Sequence, residues 1–131
     1  LKRLDDNNLR RNENHEIFLQ SLDPRLFRTD FEVEGSCNYA FNLVISKPDF
    51  ELRARVEQTM DRLGIEYRRG SAGGGNQLRQ PYLRKVVGED FWKRFPAVEH
   101  IHHFGYYIGN FPGLERSKIV EFCRSLNALG N

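Results

Sequence analysis

The chain has 131 residues, enough for one domain with a core of its own and too few for two full ones. Its 20 Lys+Arg against 18 Asp+Glu leave a net charge of +2, scattered along the chain, so neither a nucleic-acid footprint nor a basic membrane patch is expected. No apolar run reaches the length of a membrane span and nothing in the first residues reads as a signal peptide. Cys37 and Cys123 are far apart and suggest no disulfide framework, so a cytoplasmic protein with both thiols buried is expected.

Leu1 to Leu22 reads as a helix already in progress, with Leu1, Leu4, Ile17, Phe18 and Leu22 as a broken apolar stripe among polar residues. Such a helix is expected to have lost a packing partner or to bridge to another domain, and to fray on its own. Asp23-Pro24 closes it, because the residue before proline is steered away from helix. Tyr39, Phe41, Leu43 and Ile45 alternate along a predicted strand from Asn38 to Ser46. Lys47-Pro48-Asp49 breaks it and opens a helix with Leu52, Val56, Met60 and Leu63 at helical spacing, stopped by Gly64 as a C-cap glycine. A second strand is predicted over Ile65 to Tyr67. Then come two arginines, Arg68 and Arg69, and a glycine-rich run, Gly70 to Gly75. A polar cluster, Asn76, Gln77, Arg79 and Gln80, leads to Pro81-Tyr82.

That glycine-rich stretch reads two ways. Glycines let the backbone approach a ligand closely, and neighbouring arginines can grip phosphate or hydroxyl groups. The alternative is a flexible loop facing solvent. The stretch does not read as a P-loop, because no Gly-Lys-Ser/Thr follows. Pro81 to Phe95 looks irregular, with Phe91, Trp92 and Phe95 assigned to the core. Pro96 opens a short helix through Val98, Glu99 and Ile101. Phe104, Tyr106 and Ile108 alternate as a third strand, with Tyr106 and Tyr107 on opposite faces. Asn110-Phe111-Pro112-Gly113 is a turn, and Ile119, Phe122, Cys123 and Leu126 share one face of a last helix that ends before Gly130.

The order of elements predicts an α+β fold, a small two-layer domain with a three- or four-stranded sheet and helices on one face. Catalytic constellations are sparse. His100 and His103 are a helical turn apart, but no third ligand is evident and they read as surface or packing residues, so no metal is expected. Glu89 and Asp90 read as turn residues rather than an acid–base pair. No serine stands in a nucleophile elbow.

Several pieces nonetheless resemble the C-terminal part of the DegT/DnrJ/StrS family, pyridoxal-phosphate-dependent nucleotide-sugar aminotransferases and dehydratases. Leu1-Lys2-Arg3-Leu4-Asp5 with Arg10-Arg11-Asn12-Glu13-Asn14 is similar to the helix that leaves the family's large domain. Asn38-Tyr39-Ala40-Phe41 resembles the first strand of the small domain. Gly64-Ile65-Glu66 with Arg68 resembles its GIE-x-R-P strand, with Arg69 in place of the proline. Gly105-Tyr106-Tyr107-Ile108-Gly109-Asn110 resembles its late G-aromatic-aromatic-x-G-N strand. Ala72-Gly73-Gly74-Gly75-Asn76 followed by Arg79-Gln80-Pro81-Tyr82 is similar to the AGN…RQPY of the 3-dehydratase branch, with extra residues before Asn76; the aminotransferases commonly carry histidine in this region.

The resemblance implies a helix, residues 1–24, leaving a large domain, and a C-terminal small domain over 25–131. It implies part of a PLP/PMP enzyme that dehydrates a CDP- or GDP-linked 4-keto-6-deoxyhexose in deoxysugar or lipopolysaccharide biosynthesis. A nucleotide-sugar aminotransferase of the same family and a free-standing binding domain are the alternatives. Arg68 and Asn76 would stand near the sugar, Tyr82 would support the loop, and Gly73, Gly74 and Gly75 would form it. The lysine or histidine at the cofactor would lie upstream, so the chain alone is expected neither to hold the cofactor nor to catalyse. The implied partners are a nucleotide-sugar substrate and a second copy of the parent.

Overall fold

The computed structural model describes residues 2–72 and 75–130. Three strands form an antiparallel sheet: β1 (Ala40–Val44), β2 (Tyr67–Arg69) and β3 (Gly105–Gly109), in spatial order β1-β3-β2. Phe41 and Tyr67 both pair with Ile108, and Leu43 and Arg69 both pair with Tyr106. Five α-helices accompany them: α1 (Leu4–Ser21), α2 (Phe50–Arg62), α3 (Pro81–Val87), α4 (Pro96–Phe104) and α5 (Arg116–Asn127). The fold is therefore the expected small α+β one, with three strands.

Period-2 alternation selects the covered face of the sheet. Phe41, Leu43, Tyr106 and Ile108 point into one core with Phe18 and Leu22 from the first helix, Leu52, Val56 and Met60 from α2, and Ile119, Phe122, Cys123 and Leu126 from α5. Phe18, Val56, Met60, Cys123 and Leu126 are wholly inaccessible. Burial pushes the Cys123 thiol up to about 12, so it stays protonated as a small apolar group. Cys37 is exposed, against the expectation that both thiols are buried.

Helix α2 has both its stops in its sequence. The Asp49 carboxylate accepts from the Leu52 N–H at 2.8 Å as the N-cap. At the other end Gly64 takes φ +66°, Gly64 N–H donates to Asp61 O, and Ile65 N–H donates to Met60 O, a Schellman closure. A side chain at Gly64 would be strained for its backbone angle alone.

The first helix differs from expectation. Its second half is integral to the core through Asn14, His15 and Phe18, while Leu4 and Leu9 stay exposed. Asn127 holds its end, donating to Ser21 O at 2.8 Å and accepting from Asp23 N–H at 2.8 Å. Asn110, the last residue of the late-strand motif, ties the middle of the helix to the sheet. Its amide donates to Arg11 O at 2.8 Å and to Asn38 O at 2.7 Å, and it accepts from Asn14 Nδ2 at 3.2 Å. Other differences are local. Tyr39 is exposed and meets the Tyr107 ring edge-on instead of joining the core. The second strand starts two residues later than predicted and contains both arginines. Pro81 to Phe95 is not irregular: it forms α3 and a short 3-10 turn, Phe91–Arg94. Phe91, Trp92 and Phe95 lie outside the core.

Candidate functional site

Successive residues of a strand face opposite sides, so the two arginines of β2 part company. Arg69 turns to the covered side, where its Nε lies 2.9 Å from Glu57 Oε1, and Arg53 approaches the same oxygen at 3.7 Å. Tyr106 donates its hydroxyl to Glu57 at 3.1 Å. Burial and the adjacent Glu57 charge raise the Tyr106 pKa well above the usual phenol range, so this hydroxyl remains a donor. Arg68 stands on the uncovered face, in a cross-strand row with Asn42 and Tyr107. It is exposed, and no hydrogen bond or ion pair engages it among the described residues. Beside it runs a cleft of about 720 Å³ whose lining includes Arg68, Tyr107, Asp61, Glu66 and the side-chain-free Gly64 and Gly109.

Asn76 is placed differently. It is buried, with only 3% of its surface accessible, and every polar group named here is engaged. Its Oδ1 accepts from Leu78 N–H at 3.1 Å, capping the 3-10 turn Gln77–Arg79. Its Nδ2 donates to Glu99 Oε1 at 2.8 Å, and its backbone N–H donates to His102 Nδ1 at 3.0 Å. Arg79 closes the cluster. Its guanidinium grips both Glu99 oxygens, at 2.8 Å from Nε and 2.6 Å from Nη2, and lies over the Trp92 ring at 3.9 Å. Trp92, expected in the core, is thus the floor beneath an arginine. The Arg79 hydrogen bonds hold Glu99 below the usual carboxylate range.

The glycine run is pinned where it is described. Gly70 takes φ +58°, and Gly75 N–H donates to Gly70 O at 2.7 Å. A Cβ at Gly75 would stand 2.4 Å from His102 Nδ1 and 2.5 Å from the Gly70 carbonyl carbon, so this position requires glycine for space. Gly73 and Gly74 lie outside the described residues. Tyr82, the second residue of α3, is exposed, with its hydroxyl 3.4 Å from Gln77 Oε1. Asn76 and Tyr82 therefore both bond to the 3-10 turn Gln77–Arg79, whereas no hydrogen bond joins Arg68 to either.

The histidines do not form a metal centre. His100 Nε2 lies 2.7 Å from Ile45 O, His102 serves Asn76, and His103 Nε2 lies 3.7 Å from Glu99. Among the described residues no three His, Cys, Asp or Glu side chains converge as metal ligands. Nor is any helix among them long and apolar enough to cross a membrane. Glu89 and Asp90 are exposed and pair with Arg84 and Lys93. Sequence reasoning missed Glu99 and His102 as partners of the glycine stretch. Their i, i+3 spacing on α4 was the available signal that they share a face.

No protein-family model and no curated protein matches the chain. Solved structures do. One is a GDP-4-keto-6-deoxymannose-3-dehydratase with a trapped PLP-glutamate geminal diamine. It superposes with a TM-score of 0.73 at 23% identity, over 95% of this chain and 32% of its own. Another is the E coli GDP-4-keto-6-deoxy-D-mannose-3-dehydratase with bound hydrated PLP, with a TM-score of 0.73 at 22% identity, over 91% of this chain and 30% of its own. The present chain spans about a third of the length of these enzymes, and at this identity the likeness establishes a shared fold.

Proposed function

We propose that the chain is the C-terminal small domain of a PLP/PMP-dependent nucleotide-sugar 3-dehydratase of the DegT/DnrJ/StrS type, with residues 1–24 leading from a preceding large domain. The observation that carries this reading is the superposition over 95% of the chain on a sugar 3-dehydratase. The AGN…RQPY-like stretch supports it from the sequence side. In this reading the domain forms one wall of a site completed by the rest of a parent that pairs as a homodimer.

The residues present do not fit a covalent hold on an aldehyde cofactor. All five lysines, Lys2, Lys47, Lys85, Lys93 and Lys118, are exposed, and none stands in an enclosed pocket. The cofactor group therefore belongs to the remainder of the parent, and no step is routed through this chain's amines. What this chain supplies is positioning. Arg68, unpaired among the described residues, presents its guanidinium to a hydroxyl-rich or phosphorylated ligand. Tyr82 offers an exposed hydroxyl at the start of α3. Asn76, expected from sequence to touch the sugar, has its side chain spent on Leu78 and Glu99, and we assign it to holding the turn that leads into α3.

The test is the full product of the reading frame that contains this chain, assayed with PMP and GDP- or CDP-linked 4-keto-6-deoxyhexose. The expected result, read by mass spectrometry, is loss of the 3-hydroxyl as water, and Arg68→Ala should lower kcat/KM about tenfold or more with the fold intact. Transfer of an amino group to C4 without loss of the 3-hydroxyl would overturn the dehydratase reading.

A further inference from the structure

We propose that the Gly75–Asn76 backbone is fastened to α4 by an acid-sensitive latch: it is held while the His102 ring is neutral and let go when that ring becomes an imidazolium. The inference stands on the geometry of the seam and does not rest on the enzymatic reading above.

His102 Nδ1 accepts the Asn76 N–H at 3.0 Å. A ring nitrogen that accepts must carry a lone pair, so the proton of the neutral ring sits on Nε2. The imidazolium has N–H on both nitrogens and cannot accept. Protonation therefore turns this contact into two donors facing each other and strips a part-buried backbone N–H of its partner. The seam has no slack to absorb the change. The absent Gly75 side chain is what lets the ring approach, since a Cβ there would lie 2.4 Å from Nδ1. The neighbouring N–H, that of Gly75, is itself held by Gly70 O at 2.7 Å.

The charged and titratable groups around the ring come from three elements. Its own helix supplies His103 and Glu99, the 3-10 turn supplies Arg79, and β2 supplies Arg69. His103 and both arginines oppose a proton on His102. Glu99 favours one, but its oxygens are already taken by Arg79 and Asn76. Burial acts first and in the same direction as the arginines, holding the His102 pKa below the ordinary histidine value. The ring is thus neutral at about pH 7, and it takes up its proton below the ordinary histidine value. The Asn76–Glu99 and Arg79–Glu99 contacts do not depend on it, so the release is confined to the backbone at Gly75–Asn76.

The test is amide hydrogen exchange and histidine ring titration by NMR on the 131-residue chain, from about pH 7.5 to about pH 4.5. Protection of the Asn76 amide, corrected for intrinsic exchange, should fall about tenfold with the midpoint of the His102 ring, while Phe41 and Ile108 keep theirs. His102→Asn places a non-titrating Oδ1 near the Nδ1 position and should remove the step. His102→Ala removes the acceptor and should show the acid-state exchange rate at Asn76 at every pH. The proposal is overturned by any of four results: no step in the parent chain, a step whose midpoint differs from that of His102, a step that survives in either variant, or loss of protection at Phe41 and Ile108 in parallel.

Discussion

Asn76 shows how a residue type that suggests ligand contact can be consumed by the fold. Its side chain bonds Leu78 N–H and Glu99 at once, inside a buried seam. Asn76→Ala should therefore destabilise the domain by about 1–3 kcal/mol, read as a lower midpoint in urea at unchanged slope. A stability equal to that of the parent would show that the seam is not closed in solution. His15 is a second buried polar residue, packed against Phe18 and Phe41 with 3% accessibility and no partner for Nε2 among the described residues. Burial lowers its pKa. Above about pH 6.5 the ring is neutral in both folded and unfolded chains and adds no pH dependence. As pH falls below that value the unfolded chain takes up the proton first, so stability drops until the folded-state pKa is passed. His102 and His103 act with the same sign, and the lowered Glu99 adds a loss only at lower pH, in the carboxylate range. His15→Phe should flatten part of the decline below about pH 6.5 in urea midpoints taken against pH, and an unaltered profile would remove His15 from this account.

The elements divide by whether their sequence carries a period. Leu52, Val56 and Met60, or Ile119, Phe122, Cys123 and Leu126, repeat at helical spacing because each meets the sheet, and both helices are legible for that reason. Tyr106 and Ile108 are legible in the same way at period 2. Helix α3 has no buried residue, so its sequence has no stripe to read; Pro81 at N1 was its one signal. What attaches it is chemistry rather than burial, namely Arg79 on Glu99 and over Trp92. Removing that hub with Arg79→Ala should raise amide exchange and protease cleavage across residues 77–95 while β1 and β3 stay protected. Equal protection in the variant would mean that the segment has another anchor. The first helix obscured itself differently. Its polar first half hid a second half in which Phe18 is fully buried against Phe41 and Phe122, with Ile17 and Leu19 packed beside the core. Exchange should be slow from Asn14 to Ser21 and fast from Leu4 to Asn12, and Phe18→Ala should cost about 3–5 kcal/mol. Uniformly fast exchange along the helix would restore the expectation that it frays as a whole.

The sheet is covered on one face and open in the middle of the other. One core, fed by α1, α2, α5 and the inner side of the sheet, gives the chain a reason to fold alone. The other side presents Asn42, Tyr107 and Arg68 beside an open cleft, where a bound cofactor would stay exposed to water. The chain is about a third of the matching enzymes' length, and its lysines all point to solvent. An exposed lysine lacks the enclosing groups that would hold a phosphate or a ring, so it reacts with an aldehyde only as any surface amine does. Titrating the folded chain with pyridoxal phosphate should therefore give a weak, unsaturating absorbance change. Borohydride trapping followed by peptide mapping should find adducts spread over several lysines. A single stoichiometric adduct at one lysine would mean that the chain carries its own cofactor site. The division of labour proposed here, with cofactor chemistry in the remainder of the parent and positioning in this domain, would then have to be abandoned.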